Sequence, residues 1–142
     1  SAAARGGSLL PAETGRRRDK MRLQNGIDLV EIGRMEKCLQ RESFWEKCFS
    51  AREQAYIKAQ GNNAAQTAAA LYAAKEAFAK AMGTGLRGFA LPEAAVEHDD
   101  LGRPYFVLSG RAGQLAAGWR LALSLSHEGG LAIAMVTAWR ED

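Results

Sequence analysis

A carboxylate and two ammonium groups, Glu76, Lys75 and Lys80, lie within residues 71–85, a stretch that empties into a glycine-bracketed turn, Gly83-Thr84-Gly85. Carboxylates hold hard dications such as Mg2+, which keep several waters and take further ligands from substrate phosphates. Ammonium groups and the open N–H groups of a small-residue turn hold the phosphates themselves. Asp28, far upstream at the end of an alternating segment, is the second carboxylate that can converge on Glu76. Two protein carboxylates suffice for Mg2+.

The elements that must position these groups are legible from pattern. Residues 65–82 contain no Gly or Pro and are dominated by Ala, Leu, Glu, Lys and Met, the strong helix formers. One long helix is expected there, closed by Gly83. Ala68, Leu71, Phe78 and Met82 form its core stripe, and Tyr72, Glu76 and Lys80 follow at i, i+4 on a neighbouring face. Two readings fit Glu76 and Lys80 by spacing alone: a solvated contact worth a few tenths of a kcal/mol, or one wall of a phosphate site. Asp28 likewise reads as a metal ligand or as a cap for the next helix.

Before the long helix, residues 23–30 alternate, with Leu23, Ile27 and Leu29 on one face and Gln24, Gly26, Asp28 and Val30 on the other, the signature of a strand. Asp28 is expected to point away from its apolar neighbours. Ile32, Met35 and Leu39 predict a first helix over 31–40, with Arg34, Lys37 and Arg41 on its exposed side. Phe44, Trp45 and Phe49 form an aromatic cluster, and Ser50 with Glu53 matches a capping box for a helix to about Ala59. Asn62 or Asn63 is placed to cap the long helix.

After the glycine turn, residues 94–97 and 104–108 read as a hairpin joined through Asp99-Asp100-Leu101-Gly102. Residues 110–119 read as a short helix. Leu121, Leu123 and Leu125 rise along another strand, residues 126–130 turn, and 131–139 return. The order predicts an α+β domain, an antiparallel sheet packed against a long central helix, rather than a parallel nucleotide fold.

Composition limits the alternatives. At 142 residues with 47% hydrophobic content, one domain with a proper core is expected. No apolar run approaches a bilayer span, so no membrane is expected. The pI near 9.1 invites a nucleic-acid reading, but five of the 19 basic residues and only two of the 16 acidic ones lie in residues 1–20, which leaves 14 of each beyond. The basic character belongs to the tail, expected to be a disordered leader or a remnant of cloning, with Met21 as a natural start. A single domain is expected over 21–142. Cys38 and Cys48 lack metal-like spacing and are expected to stay reduced. Walker, Gly-x-Gly-x-x-Gly and Gly-x-Ser-x-Gly motifs are all absent.

Taken in order, Gly26-Ile27-Asp28 with Arg34, then residues 73–85 (AAKEAFAKAMGTG), then Gly102-Arg103-Pro104-Tyr105, then Ser124-Leu125-Ser126-His127 closely resemble the small type of 4′-phosphopantetheinyl transferase, the holo-[acyl-carrier-protein] synthases. The resemblance runs from about Leu23 to Val136. It implies transfer of the phosphopantetheine arm of coenzyme A to a serine of an acyl carrier protein, in fatty-acid or polyketide synthesis, with release of adenosine 3′,5′-bisphosphate. It implies that Asp28 and Glu76 bind Mg2+, that Lys80 contacts the pyrophosphate, and that Gly83, Thr84 and Gly85 line the nucleotide region. Arg103, Pro104 and His127 would lie along the adenosine and its 3′-phosphate. Arg34, Lys37 and Arg41 would face the acidic helix of the carrier protein.

Glu76, directly or through water, would take the serine proton, with Lys80 stabilising the leaving phosphate. Val30 stands where the family's larger members carry a third acid, which implies the small, homotrimeric, cytoplasmic type with sites between subunits. Leu71 departs from the polar residue of many relatives. Two other readings stand beside this one: a non-catalytic coenzyme A-binding or carrier-docking module, and a small nucleic-acid-binding protein acting through its tail.

Overall fold

The computed structural model describes residues 20–141, so the leader expected over 1–20 falls almost wholly outside the described residues. Strand β1 (Met21–Glu31) leads into three short helices, α1 (Ile32–Cys38), α2 (Glu42–Cys48) and α3 (Ala51–Lys58). The long helix α4 (Ala64–Met82) follows, then the hairpin of β2 (Ala94–His98) and β3 (Pro104–Leu108). Helix α5 (Gly110–Leu115) precedes a second hairpin, β4 (Arg120–Glu128) and β5 (Leu131–Glu141). Both sheets are antiparallel, one ordered β1-β5-β4 and the other β2-β3. The α+β expectation is met.

Small side chains bring α4 and the larger sheet together. Ala132, Ala134, Val136 and Ala138 alternate along β5 and are fully buried, and they meet Ala69, Ala73, Ala77 and Ala81 of α4, also without exposure. The approach is closest at Gly26. A Cβ there would collide with the Ala77 carbonyl oxygen and lie 2.8 Å from the Ala81 nitrogen. Gly26 therefore seats β1 directly against the middle of α4, with Asp28 two residues on.

That seating puts the apolar residues of β1 on the outside. The predicted alternation is present, but Gly26 is buried and Asp28 and Val30 are half-buried on the helix side, whereas Ile27 and Leu29 are 53% and 56% exposed. Ile27 pairs across the ladder with Met135, itself 46% exposed. Asp28 thus points toward α4, as the site requires, and the sheet presents an uncovered apolar outer face.

A second departure concerns Lys75. It shares the 71–85 stretch with Glu76 and Lys80, yet it is fully buried, away from their face of α4. Its ammonium donates to both Glu53 carboxylate oxygens at 2.8 and 2.9 Å, and to the carbonyls of Leu91 (3.1 Å) and Ala94 (2.9 Å). Glu53 forms the expected capping box with Ser50, and it also accepts from the Val96 N–H at 2.8 Å. Burial lowers the Lys75 pKa and the Glu53 carboxylate opposes it. This ion pair pins α3, α4 and β2 together and takes no part in the site.

Smaller differences have local causes. Residues 42–48 form a helix that pattern left unassigned, because its aromatic residues pack sideways: Phe44 and Trp45 each lie 6.1 Å from the Phe49 ring. The first helix ends at Cys38 and the short helix at Leu115, both inside their expected bounds. Asn63 holds the N-cap position of α4 without a side-chain cap bond, a 3-10 turn at Gly61–Asn63 leading in instead. The last hairpin turns at Gly129-Gly130 alone, both left-handed at φ 57° and 83°, so Ser126, His127 and Glu128 belong to β4 rather than to a loop.

Candidate active site

Tyr72, Glu76 and Lys80 occupy successive turns on one face of α4, about 6 Å apart along its axis. The seating of Gly26 lays the end of β1 across this face. Lys80 Nζ donates to the Ile27 carbonyl at 2.9 Å and to Asp28 Oδ1 at 3.2 Å. The solvated Glu76–Lys80 contact, one of the two readings of that spacing, gives way to a cross-element Lys80–Asp28 pair.

Asp28 and Glu76 line one cavity of about 370 Å³ together with Arg34 and Tyr72. Met35, Cys38 and Phe44 add apolar surface to its lining. Burial pushes the Glu76 carboxyl above its usual range, the Asp28 charge pushes it further, and Lys80 partly offsets both. A carboxylate whose ionisation is opposed by burial and by a second carboxylate in the same cavity forms, with that partner, a donor set suited to a dication. Among the described residues no cluster of three or more His, Cys, Asp or Glu could hold a metal, so a cation here would rely on this pair and on oxygens from water or substrate.

Gly83 closes α4 in the left-handed conformation, φ 75°, as expected. Thr84 and the exposed Gly85 follow directly. Thr84 Oγ1 donates to the Gly85 carbonyl at 2.9 Å. Arg34, Lys37 and Arg41 are all exposed. Arg34 and Lys37 share a shallow groove with Gly129 and Gly130, and Arg34 also lines the Asp28–Glu76 cavity.

The remaining candidates are not gathered there. Arg103 and Pro104 line a separate cavity of about 600 Å³ between β3 and β4, closed by Leu123 and Trp139. His127 Nε2 lies 3.3 Å from the Gln66 amide nitrogen, at the start of α4, and Gln66 is about 21 Å from Lys80 along the helix axis. Within one subunit His127 and the Gly83–Gly85 turn stand at opposite ends of the helix. Tyr72 was noted only for its spacing. Its place four residues before Glu76 was the available signal that it shares the site.

Comparison with known proteins now bears on this geometry. Residues 24–136 match the 4′-phosphopantetheinyl transferase superfamily. The chain belongs to that superfamily, and it is an enzyme that transfers phosphopantetheine. Within it, the chain is 45% identical over 113 residues to the holo-[acyl-carrier-protein] synthase of Clostridium acetobutylicum, covering 77% of this chain and 90% of that protein. Crystal structures agree. The holo-(acyl-carrier-protein) synthase of Bacillus anthracis in complex with CoA (3′,5′-ADP) superposes with a TM-score of 0.71 at 31% identity, covering 82% of this chain and 96% of that one. The Helicobacter pylori enzyme in complex with coenzyme A gives 0.70 at 30% identity, with 79% and 96% covered.

Proposed function

We propose that the chain is a Mg2+-dependent holo-[acyl-carrier-protein] synthase, moving 4′-phosphopantetheine from coenzyme A to a serine of an apo acyl carrier protein and releasing adenosine 3′,5′-bisphosphate. The observation that carries this reading is the convergence of Asp28 and Glu76 on one cavity with the Lys80 ammonium against Asp28. Relatives that bind coenzyme A in their crystals share the fold over most of their length.

In this reading Asp28 and Glu76 hold Mg2+, which supplies charge neutralisation for the phosphates. Lys80 turns from Asp28 toward the pyrophosphate and stabilises the leaving side. Glu76 accepts the serine proton, directly or through a water. Gly83, Thr84 and Gly85 border the nucleotide, their backbone free to approach it. Arg34, Lys37 and Arg41 offer a cationic surface beside the cavity to an acidic helix of the carrier.

Arg103 and Pro104, which line a separate cavity, and His127 are assigned to the adenosine and 3′-phosphate, and His127 fits there only if another subunit supplies it, given the roughly 21 Å between Gln66 and Lys80. The exposed Ile27, Leu29 and Met135 face supports self-association of this kind, and a homotrimer is the state we assign. The two free thiols fit a reducing, cytoplasmic setting, and no helix among the described residues is long and apolar enough to cross a membrane. Fatty-acid or polyketide carriers are the acceptors proposed.

The test is a mass spectrum of apo carrier protein incubated with the enzyme. The carrier should gain the mass of phosphopantetheine only when coenzyme A and Mg2+ are both present. Full activity of Asp28→Asn or Glu76→Gln would remove the metal assignment, and a carrier that stays unmodified throughout would remove the function.

A further inference from the structure

Tyr72 is the one member of the Tyr72, Glu76, Lys80 face to which neither the spacing nor the proposed chemistry gives a task. It lines the Asp28–Glu76 cavity. Its ring lies 6.0 Å from that of Phe44, tilted by 30°, which fixes the plane of the phenol. Its hydroxyl makes no hydrogen bond to the described residues, although the side chain is half-buried. A phenol that lines a cavity carrying two carboxylates, with no partner among the described residues, is a donor free to meet a substrate acceptor.

We propose that Tyr72 is a further catalytic residue, its hydroxyl donating a hydrogen bond to a non-bridging oxygen of the phosphoryl group in transfer, on the far side of Glu76 from Lys80. This rests on the function proposed above. Lys80 stands one turn toward Gly83 and the nucleotide, whereas Tyr72 stands one turn the other way, about 12 Å from Lys80 along the axis. A substrate whose leaving nucleotide is held at the Lys80 end places its transferred pantetheine phosphate and arm toward Tyr72 and the Phe44 end of the cavity.

In the step itself, the serine oxygen forms a bond to the pantetheine phosphorus and the bond from that phosphorus to the bridging oxygen breaks. The electron pair leaves with the adenosine bisphosphate, and the serine proton passes to Glu76. Charge is then spread over the equatorial oxygens of the phosphoryl group, where a fixed donor is most useful. Tyr72 keeps its proton throughout. Burial, followed by the Glu76 and Asp28 charges, pushes the phenol up to about 12, so it stays a donor at neutral pH.

The experiment compares wild-type enzyme with Tyr72→Phe, which retains the ring and its Phe44 contact, using coenzyme A, Mg2+ and apo carrier. The expected result is a kcat about 10²- to 10³-fold lower, in the range found when one transition-state donor is removed, with the KM for coenzyme A, its calorimetric affinity and the melting temperature unchanged. An unchanged kcat, or a loss confined to KM, overturns the inference while leaving the function intact. A wild-type enzyme that fails to load the carrier overturns the function itself, and the inference with it.

Discussion

The ammonium of Lys80 lies 3.2 Å from the Asp28 carboxylate, 52 positions earlier in the chain, and not on Glu76, its neighbour one turn along the same helix. The pair is partly exposed, so it adds little to stability. Its consequence is electrostatic: Lys80 neutralises one of two carboxylates that face a common cavity.

Replacing Lys80 by Met should lower kcat/KM for carrier loading by about 10²-fold, the scale of losing one charged donor at a phosphoryl site, with little change in melting temperature. Steady-state kinetics beside a thermal melt separates the two. A variant that loses stability and keeps its activity would make Lys80 a structural residue.

Glu76 sets a pH dependence whose sign follows from its environment. Burial first, and Asp28 second, hold its folded-state pKa above the ordinary 4.5. The resulting stabilisation is fully present below the unfolded value and is lost as pH rises through the folded value. Mg2+ binding should then release a proton from Glu76 in that window, and affinity should rise with pH. Calorimetry in buffers of different ionisation enthalpy measures the proton, and its persistence in Glu76→Gln would assign it elsewhere.

The Lys75–Glu53 pair has both side chains fully buried. Converting Lys75 to Met leaves a buried carboxylate without its partner and should cost about 3–5 kcal/mol. The double change with Glu53→Gln should cost less than the sum of the two single ones. Denaturant unfolding provides the comparison, and additive losses would mean that the two residues act independently.

Gly26 has no room for a side chain against Ala77 and Ala81. Gly26→Ala should destabilise by about 1–3 kcal/mol, as overpacking does. Because the displaced strand carries Asp28, loading activity should fall by more than the lost stability explains. Assays well below the melting temperature test this, and normal activity there would show that Asp28 need not sit where Gly26 places it.

The outer face of the sheet bears on assembly. Leu29→Glu combined with Met135→Glu should leave the fold intact and yield monomers with greatly reduced loading activity, because charges on a buried apolar interface are costly. Light scattering with circular dichroism measures both. A monomeric wild-type enzyme that is fully active would confine the site to one chain.

Local chemistry was legible from the sequence wherever a residue's role depends on its neighbours in the chain. The long helix follows from the alanines of 65–82, its left-handed stop from Gly83, the capping box from Ser50 and Glu53, and the two hairpins from alternation broken at Asp99-Asp100-Leu101-Gly102 and at Gly129-Gly130. The ordered motifs from Gly26 to His127 also pointed to Asp28 and Glu76 as partners before any contact was known. Tertiary structure decided which way those residues face. Ile27 and Leu29 look like core in a strand read alone, yet the glycine at 26 turns the opposite face onto α4. Lys75 and Lys80 look alike at five-residue spacing, yet that spacing amounts to about 140° of rotation around the helix. One lysine is thereby sent into the interior with Glu53 and the other to Asp28. Helical periodicity fixes the angle between two side chains, and only packing against the rest of the chain fixes what lies at each angle.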